Sequence, residues 1–112
     1  MQVLVNTNHA DENHEALSTR VSAALSGALG RLTDQISRIE VHLGDENGAK
    51  GGPDDKRCMM EARLDGRPPV AVTHHAGTVD SAVHGAAVAL AKLIDSALGR
   101  RARRRTPRSP AV

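Results

Sequence analysis

A chain of 112 residues is the size of one domain. It contains no Phe, Tyr or Trp, which excludes the classes of RNA-binding protein that stack bases on aromatic rings. The core must therefore be aliphatic, and a net charge of +2 is too small to keep such a chain unfolded. Any contact with nucleic acid must use charge and shape.

The small net charge hides an uneven distribution along the chain. Residues 1–99 contain nine Lys and Arg against thirteen Asp and Glu, whereas residues 100–112 contain six Arg and no acid. The six are Arg100, Arg101, Arg103, Arg104, Arg105 and Arg108. A weakly acidic body that ends in a cationic tail indicates a polyanionic partner, either nucleic acid or an anionic membrane surface.

Targeting signals are not recognisable in the sequence. Residues 1–5 are apolar with no basic region before them, and no uninterrupted apolar stretch approaches the ~18 residues of a membrane-spanning helix. Cys58 is the single cysteine and can form no internal disulfide, which agrees with a reducing compartment. We therefore predict a cytoplasmic protein without a membrane partner.

The start of the chain predicts a strand followed by a helix. Residues 2–7 are rich in strand-forming residues, and Asn8 and Asp11 are candidate N-cap residues of the helix. From Ala16 onward, apolar residues recur at the spacing of one helix face: Leu17, Val21, Ala24, Leu25, Ala28, Leu29 and Leu32. Gly27 and Gly30 weaken the last turns of this helix by about 1 kcal/mol each relative to Ala.

The middle of the chain predicts three strands. Residues 36–43 and 57–64 alternate apolar and polar side chains, which is typical of strands with one buried face. The polar, Gly-rich residues 44–55 predict the loop between them. Asp65-Gly66 is a favoured dipeptide of two-residue hairpins, and residues 70–75 form the next strand. Pro68 and Pro69 cannot donate ladder hydrogen bonds, so we expect them to open this strand or to lie at a sheet edge.

The last predicted element is a second amphipathic helix, with Thr78 as its N-cap. Its apolar stripe is Val79, Ala82, Val83, Ala86, Ala87, Leu90, Ile94, Ala97 and Leu98. Gly99 is one possible end of this helix, and an extension over residues 100–105 is the other. The element order predicts an α+β fold, β-α-β-β-β-α, with a four-stranded sheet and two helices packed on one face. We predict one domain over residues 1–100 and a disordered basic tail over residues 101–112.

Candidate metal and catalytic residues lack the required spacing. His74 and His75 are neighbours in a predicted strand and point to opposite faces, so they cannot share an ion. Residues 44–52 match neither a phosphate-binding loop nor a calcium loop, because Lys50 and the acids stand at the wrong offsets. Cys58 alternates with core-facing residues and is no candidate nucleophile. We predict no metal site, no cofactor and no catalytic residue, and therefore no enzyme.

Three segments within this element order carry a resemblance to a known family. They are residues 39–43 (IEVHL), residues 57–66 (RCMMEARLDG), and residues 78–83 (TVDSAV) leading into residues 90–93 (LAKL). Over about residues 1–105 the chain resembles the short type of the ribosome hibernation-promoting factor and ribosome-associated inhibitor A family. The resemblance implies a protein of slow growth or stress that enters the small ribosomal subunit between head and body. It would occupy the channel of messenger and transfer RNA and silence translation without covalent chemistry.

The resemblance also implies an RNA-binding surface, because family members bind RNA through basic residues along both helices. The positions that match in chemistry are Arg20, Arg31, Lys92, Arg100, Arg101, Arg103, Arg104 and Arg105. The implied partner is the small ribosomal subunit and its rRNA, without DNA sequence specificity. Because the body of the chain is acidic, we expect the tail to supply the attraction to RNA.

The sequence also supports a function of a different class. In this alternative, the chain is a protein-protein interaction module, and a homodimer is one form it can take. Its contact surface would be the open face of the sheet, around Arg38, Glu40, Met59, Glu61 and Arg63.

Overall fold

The structure is a computed structural model that describes residues 1–7, 13–45 and 56–99 with their side chains and the backbone of residues 100–105. Its elements are β1 (Gln2–Thr7), α1 (His14–Leu29), a 3-10 segment (Gly30–Gln35), β2 (Ile36–Asp45), β3 (Lys56–Leu64), β4 (Val70–Ala76) and α2 (Val79–Arg105). The predicted α+β class and element order are confirmed. Two residues assigned to the Gly-rich loop, Gly44 and Asp45, instead belong to β2, and residues 46–55 lie outside the described residues.

The sheet has the order β1-β2-β3-β4, with β1 parallel to β2 and the other neighbours antiparallel. Alternation places the apolar side chains of each strand on one face, where α1 and α2 cover them. The largest fully buried side chains are aliphatic or sulfur-containing: Leu17, Leu25, Ile39, Met60, Leu90, Ile94, Val21, Val41 and Cys58. The opposite face of the sheet carries no helix among the described residues. The predicted two-layer packing is thus confirmed.

Both helices begin at the same end of the sheet, each with a side-chain cap. The Asn13 Oδ1 atom accepts a hydrogen bond from the Ala16 N–H at 3.0 Å, and Thr78 Oγ1 accepts one from the Ser81 N–H at 3.1 Å. Thr78 was predicted for this role, whereas the first helix uses Asn13. The earlier candidates, Asn8 and Asp11, lie outside the described residues.

The first helix ends sooner than its apolar pattern predicts. Gly30 has a φ of 54°, and its N–H bonds the Ser26 carbonyl, so the α-helix stops after Leu29. The chain continues as the 3-10 segment, which carries Leu32, the last residue of the predicted stripe. Leu32 still packs against the core. The apolar spacing was therefore a correct guide to burial and a wrong guide to the end of the helix.

The connection between β3 and β4 is longer than the predicted two-residue hairpin. Ala62 pairs with Val70, whereas Arg63 and Leu64 pair only with β2, so residues 65–69 form the link. The Arg67 N–H donates to the Leu64 carbonyl at 3.3 Å, and Gly66 has a φ of 70° in the turn so formed. Asp65-Gly66 does mark a turn, but two prolines follow it, and β4 begins only after them, as expected for residues that cannot join a ladder.

The second helix packs closely on the sheet because much of its buried stripe is alanine. Ala82, Ala86 and Ala87 are fully or almost fully buried, and Leu90 and Ile94 fill the layer between helix and strands. By length and composition alone, Val79–Gly99 is apolar enough to cross a membrane. That composition is also typical of a helix packed in a protein core, which is where the buried stripe of α2 lies.

The imidazole ring of His74 on β4 occupies the space that a side chain at position 85 of α2 would need. A Cβ atom added to Gly85 would overlap ring atoms of His74 on β4. We expect the effect of Gly85→Ala on the free energy of unfolding to be less favourable by at least about 0.5 kcal/mol when His74 is present than when His74 is replaced by Ala. In that background the Gly85→Ala change should stabilise the helix by up to about 1 kcal/mol, because Ala is the better helix former. Urea unfolding of the four proteins measures this coupling, and equal effects in both backgrounds would contradict the close contact.

Candidate nucleic-acid interface

The backbone of α2 continues without a break past Gly99 to Arg105. Ile94 is fully buried and Leu98 packs against the core, so the helix is held by the sheet up to this point. The six further residues extend the helix axis by about 9 Å at 1.5 Å per residue, and five of them are arginines. Five of the predicted RNA-binding residues thus stand on this extension, although their side chains lie outside the described part of the structure.

Further arginines lie at the same end of the fold. Arg31 is exposed on the 3-10 segment, which contacts α2. The Asp65 N–H donates to the Gln35 carbonyl at 3.0 Å and thereby joins the turn after β3 to that segment. Arg63 and Arg67 flank this turn. We call this region the basic end; its cations are Arg31, Arg63, Arg67 and the five arginines of residues 100–105.

Arg63 and Arg67 were not among the RNA-binding residues predicted from the sequence. Their position at the basic end depends on strand direction and on the hydrogen bond between the turn and the 3-10 segment, neither of which the sequence displays. The one available signal was their placement on either side of the predicted Asp65-Gly66 turn, which marks the end of the sheet. Acids are also present there, since Asp34, Asp65 and Asp95 are exposed near the same end.

Arg20 and Lys92 lie away from the basic end. Arg20 is in the second turn of α1, and its Nε atom lies 3.5 Å from a carboxylate oxygen of Asp80 at the start of α2. Both side chains are well exposed, at 49% and 75%, so this ion pair contributes at most about 1 kcal/mol to stability. Lys92 is exposed on α2, about two turns before the extension. RNA binding by these two residues stays a prediction, as it does for Arg31 and the five arginines.

An open apolar groove runs between the two helices beside the Arg20–Asp80 pair. Its volume is about 290 Å³, and it is lined by Leu17, Arg20, Val21, Ala23, Ala24, Asp80 and Val83. Small-molecule sites usually occupy about 300 to 1,000 Å³ and place several polar groups around the ligand. The charged side chains that line this groove are Arg20 and Asp80, and both are exposed to solvent.

The open sheet face carries charge in rows. Arg38 stands opposite Arg63 in the register of β2 and β3, and Glu40 stands opposite Glu61 one step further along. Arg38 and Glu40 form an ion pair at 3.0 Å along β2. The face is therefore mixed in charge, with half-buried Met59 and partly exposed Leu4 as its apolar side chains.

Chemically reactive groups are sparse in the described residues. Cys58 is fully buried, as predicted, and this burial raises the pKa of its thiol to about 12. Among residues 1–7, 13–45 and 56–99, no three His, Cys, Asp or Glu side chains are placed to hold a metal ion. The buried, protonated thiol of Cys58 is therefore not an accessible nucleophile.

The chain is similar to known proteins in its structure. No protein-family model and no curated protein matches the sequence. A ribosomal subunit interface protein from Coxiella burnetii matches the structure with a TM-score of 0.72 at 14% identity, over 88% of this chain and 99% of that chain. The N-terminal domain of Thermus thermophilus Protein Y matches with a TM-score of 0.67 at 19% identity, over 86% and 98%. The chain has the fold of these two proteins. The fold that the sequence resemblance implied is thereby confirmed.

The buried thiol of Cys58 gives a pH-dependent prediction. With a pKa of about 12, the thiolate that attacks disulfide reagents is only roughly one part in ten thousand at pH 8. We expect native protein to leave a chromogenic disulfide reagent unreacted at pH 8 and to react with one equivalent after unfolding in urea. Because burial raises the pKa of the thiol in the folded state, the free energy of unfolding should be constant below about pH 9 and should fall as the pH rises from 9 toward 12. Rapid reaction of the native protein would contradict the burial.

Proposed function

We propose that this chain is a non-enzymatic, ribosome-associated protein that binds rRNA of the small subunit and inhibits translation or preserves idle ribosomes under stress. The observation that carries the proposal is the unbroken run of α2 to Arg105, which holds five arginines beyond the sheet of a fold shared with a ribosomal subunit interface protein. The site of action would be the cytoplasm.

Arginine suits this role because its guanidinium group offers a planar set of donors to phosphate oxygens and stays charged at every physiological pH. A helix presents such groups at fixed spacing, so several can reach one RNA backbone at once. Without aromatic side chains, the chain can read RNA only by charge and shape. A ribosomal cleft offers both, since its walls are folded RNA with dense phosphates.

Inhibition in this proposal arises from occupancy and needs no chemistry. The one cysteine of the chain is buried, and the groove between the helices is lined mainly by apolar side chains. A protein wedged into a functional channel blocks it for as long as it stays bound. Release would then depend on competition for the RNA or on the ionic conditions.

Sedimentation with purified small ribosomal subunits tests the proposal. We expect the full chain to sediment with subunits at low salt and to leave them as salt increases, because phosphate contacts release counterions. Replacing the arginines of residues 100–105 with Gln, which preserves helix propensity, should weaken binding. The slope of log affinity against log salt should then fall by about one for each arginine that contacts a phosphate.

Replacement of the same arginines with Lys is the matched control, since it keeps the charge and removes the planar donor group. This variant should bind more tightly than the Gln variant and retain the salt dependence. The proposal fails if the full chain stays in the supernatant at low salt, or if the Gln variant binds as the parent does. Association through the open sheet face is the competing function, and it would instead be weakened by Met59→Gln and be insensitive to salt.

A further inference from the structure

The two ends of the fold differ in how far their positive charges are paired with carboxylates. At the end opposite the basic end, Lys56 lies 2.9 Å from Asp45, and Arg20 lies 3.5 Å from Asp80. Two of the cations described at that end are therefore already neutralised by a neighbouring carboxylate. At the basic end, Arg31, Arg63, Arg67 and the five arginines of the α2 extension stand against the exposed acids Asp34, Asp65 and Asp95, so this end keeps an excess of positive charge.

Helix N-termini normally attract phosphate, because their first backbone N–H groups lack partners and the helix dipole is positive there. In this chain both N-termini lie at the end opposite the basic end. Asn13 and Thr78 side chains already bond N–H groups in the first turns. Each first turn also carries an acid, Glu15 in α1 and Asp80 in α2. Both helix N-termini are therefore already capped, and each has a carboxylate in its first turn.

The acids at the opposite end of the fold do not cancel the attraction of the basic end. The 16 residues of α1 separate the two ends by about 24 Å at 1.5 Å per residue. The Debye length at physiological salt is about 8 Å, so charges three such lengths apart act almost independently through water. RNA near one end responds to the charge of that end rather than to the net charge of the chain.

We infer that the protein binds RNA end-on, with the basic end against the phosphates and the capped helix N-termini turned away. The inference rests on the proposed function and adds Arg63 and Arg67 to its binding residues. It also gives the complex a direction: α2 points with its C-terminus into the RNA. Arg20, paired with Asp80 near the far end, contributes little to binding.

A directed cleavage experiment tests the direction. Gln35→Cys places a thiol at the basic end, and Ser81→Cys places one in the first turn of α2; both positions are exposed and uncharged. Each cysteine is joined to an iron chelate that generates hydroxyl radicals. Because Cys58 is buried, we expect it to stay unmodified, and the parent chain treated in the same way is the control. On small ribosomal subunits, we expect rRNA cleavage from position 35 and little or none from position 81.

Binding to the subunits is measured by sedimentation of the same samples, so that the failure of ribosome binding and the failure of the end-on orientation can be told apart. Cleavage from position 81 that equals or exceeds cleavage from position 35, with normal sedimentation, overturns the orientation and leaves ribosome binding intact. Absence of sedimentation overturns ribosome binding and the orientation with it.

A matched pair of charge variants gives a second readout. Arg31→Gln with Arg63→Gln and Lys56→Gln with Arg57→Gln each remove two positive charges, at opposite ends of the fold. The first pair should lower the salt slope by about two and the second should leave it unchanged. Equal losses from both pairs would show that RNA responds to net charge and would overturn the end-on inference.

Discussion

The packing of α2 against the sheet is the contact on which the remaining features depend. A core without aromatic residues must fill its volume with small aliphatic side chains, and the alanines of α2 allow the helix to lie close to β3 and β4. Leu90 and Ile94 then anchor the helix from the middle of its length. A helix anchored in this way can continue past the sheet as a projecting arm, whereas an isolated stretch of five arginines in six residues would gain little from forming a helix alone.

The uneven distribution of charge allows a chain with an acidic body to carry a basic contact surface. Residues 1–99 contain more acids than bases, which on net charge alone predicts repulsion from RNA. In the folded chain, Asp45 and Asp80 are each paired with a cation at the end opposite the α2 extension. Screening limits the reach of every exposed charge to roughly one Debye length. For RNA binding, the distribution of charge between the two ends therefore matters more than the net charge of the whole chain.

Most of the fold follows from patterns within the sequence. Alternation located β2 and β3, and the spacing of Leu17, Val21 and Leu25 located α1. Two predictions were wrong because they depended on local geometry. Gly30 adopts a positive φ and ends α1 early. The turn after β3 is longer than predicted because β3 pairs with β2 beyond its last contact with β4. Arg63 and Arg67 were missed as part of the basic end because the hydrogen bond that joins their turn to the 3-10 segment is a tertiary contact. The periodicity of apolar residues indicates which side of a helix or strand is buried, but it does not indicate which helix and strand ends lie together in the fold.

Reconstruction by electron microscopy of the chain bound to the small ribosomal subunit tests the central claim most directly. The account predicts that the C-terminal turns of α2 lie against rRNA, with guanidinium groups within hydrogen-bond distance of phosphate oxygens, while Asn13 and Thr78 face away from the RNA. A complex in which residues 100–105 extend into solvent, or in which the helix N-termini contact the phosphates, would contradict it.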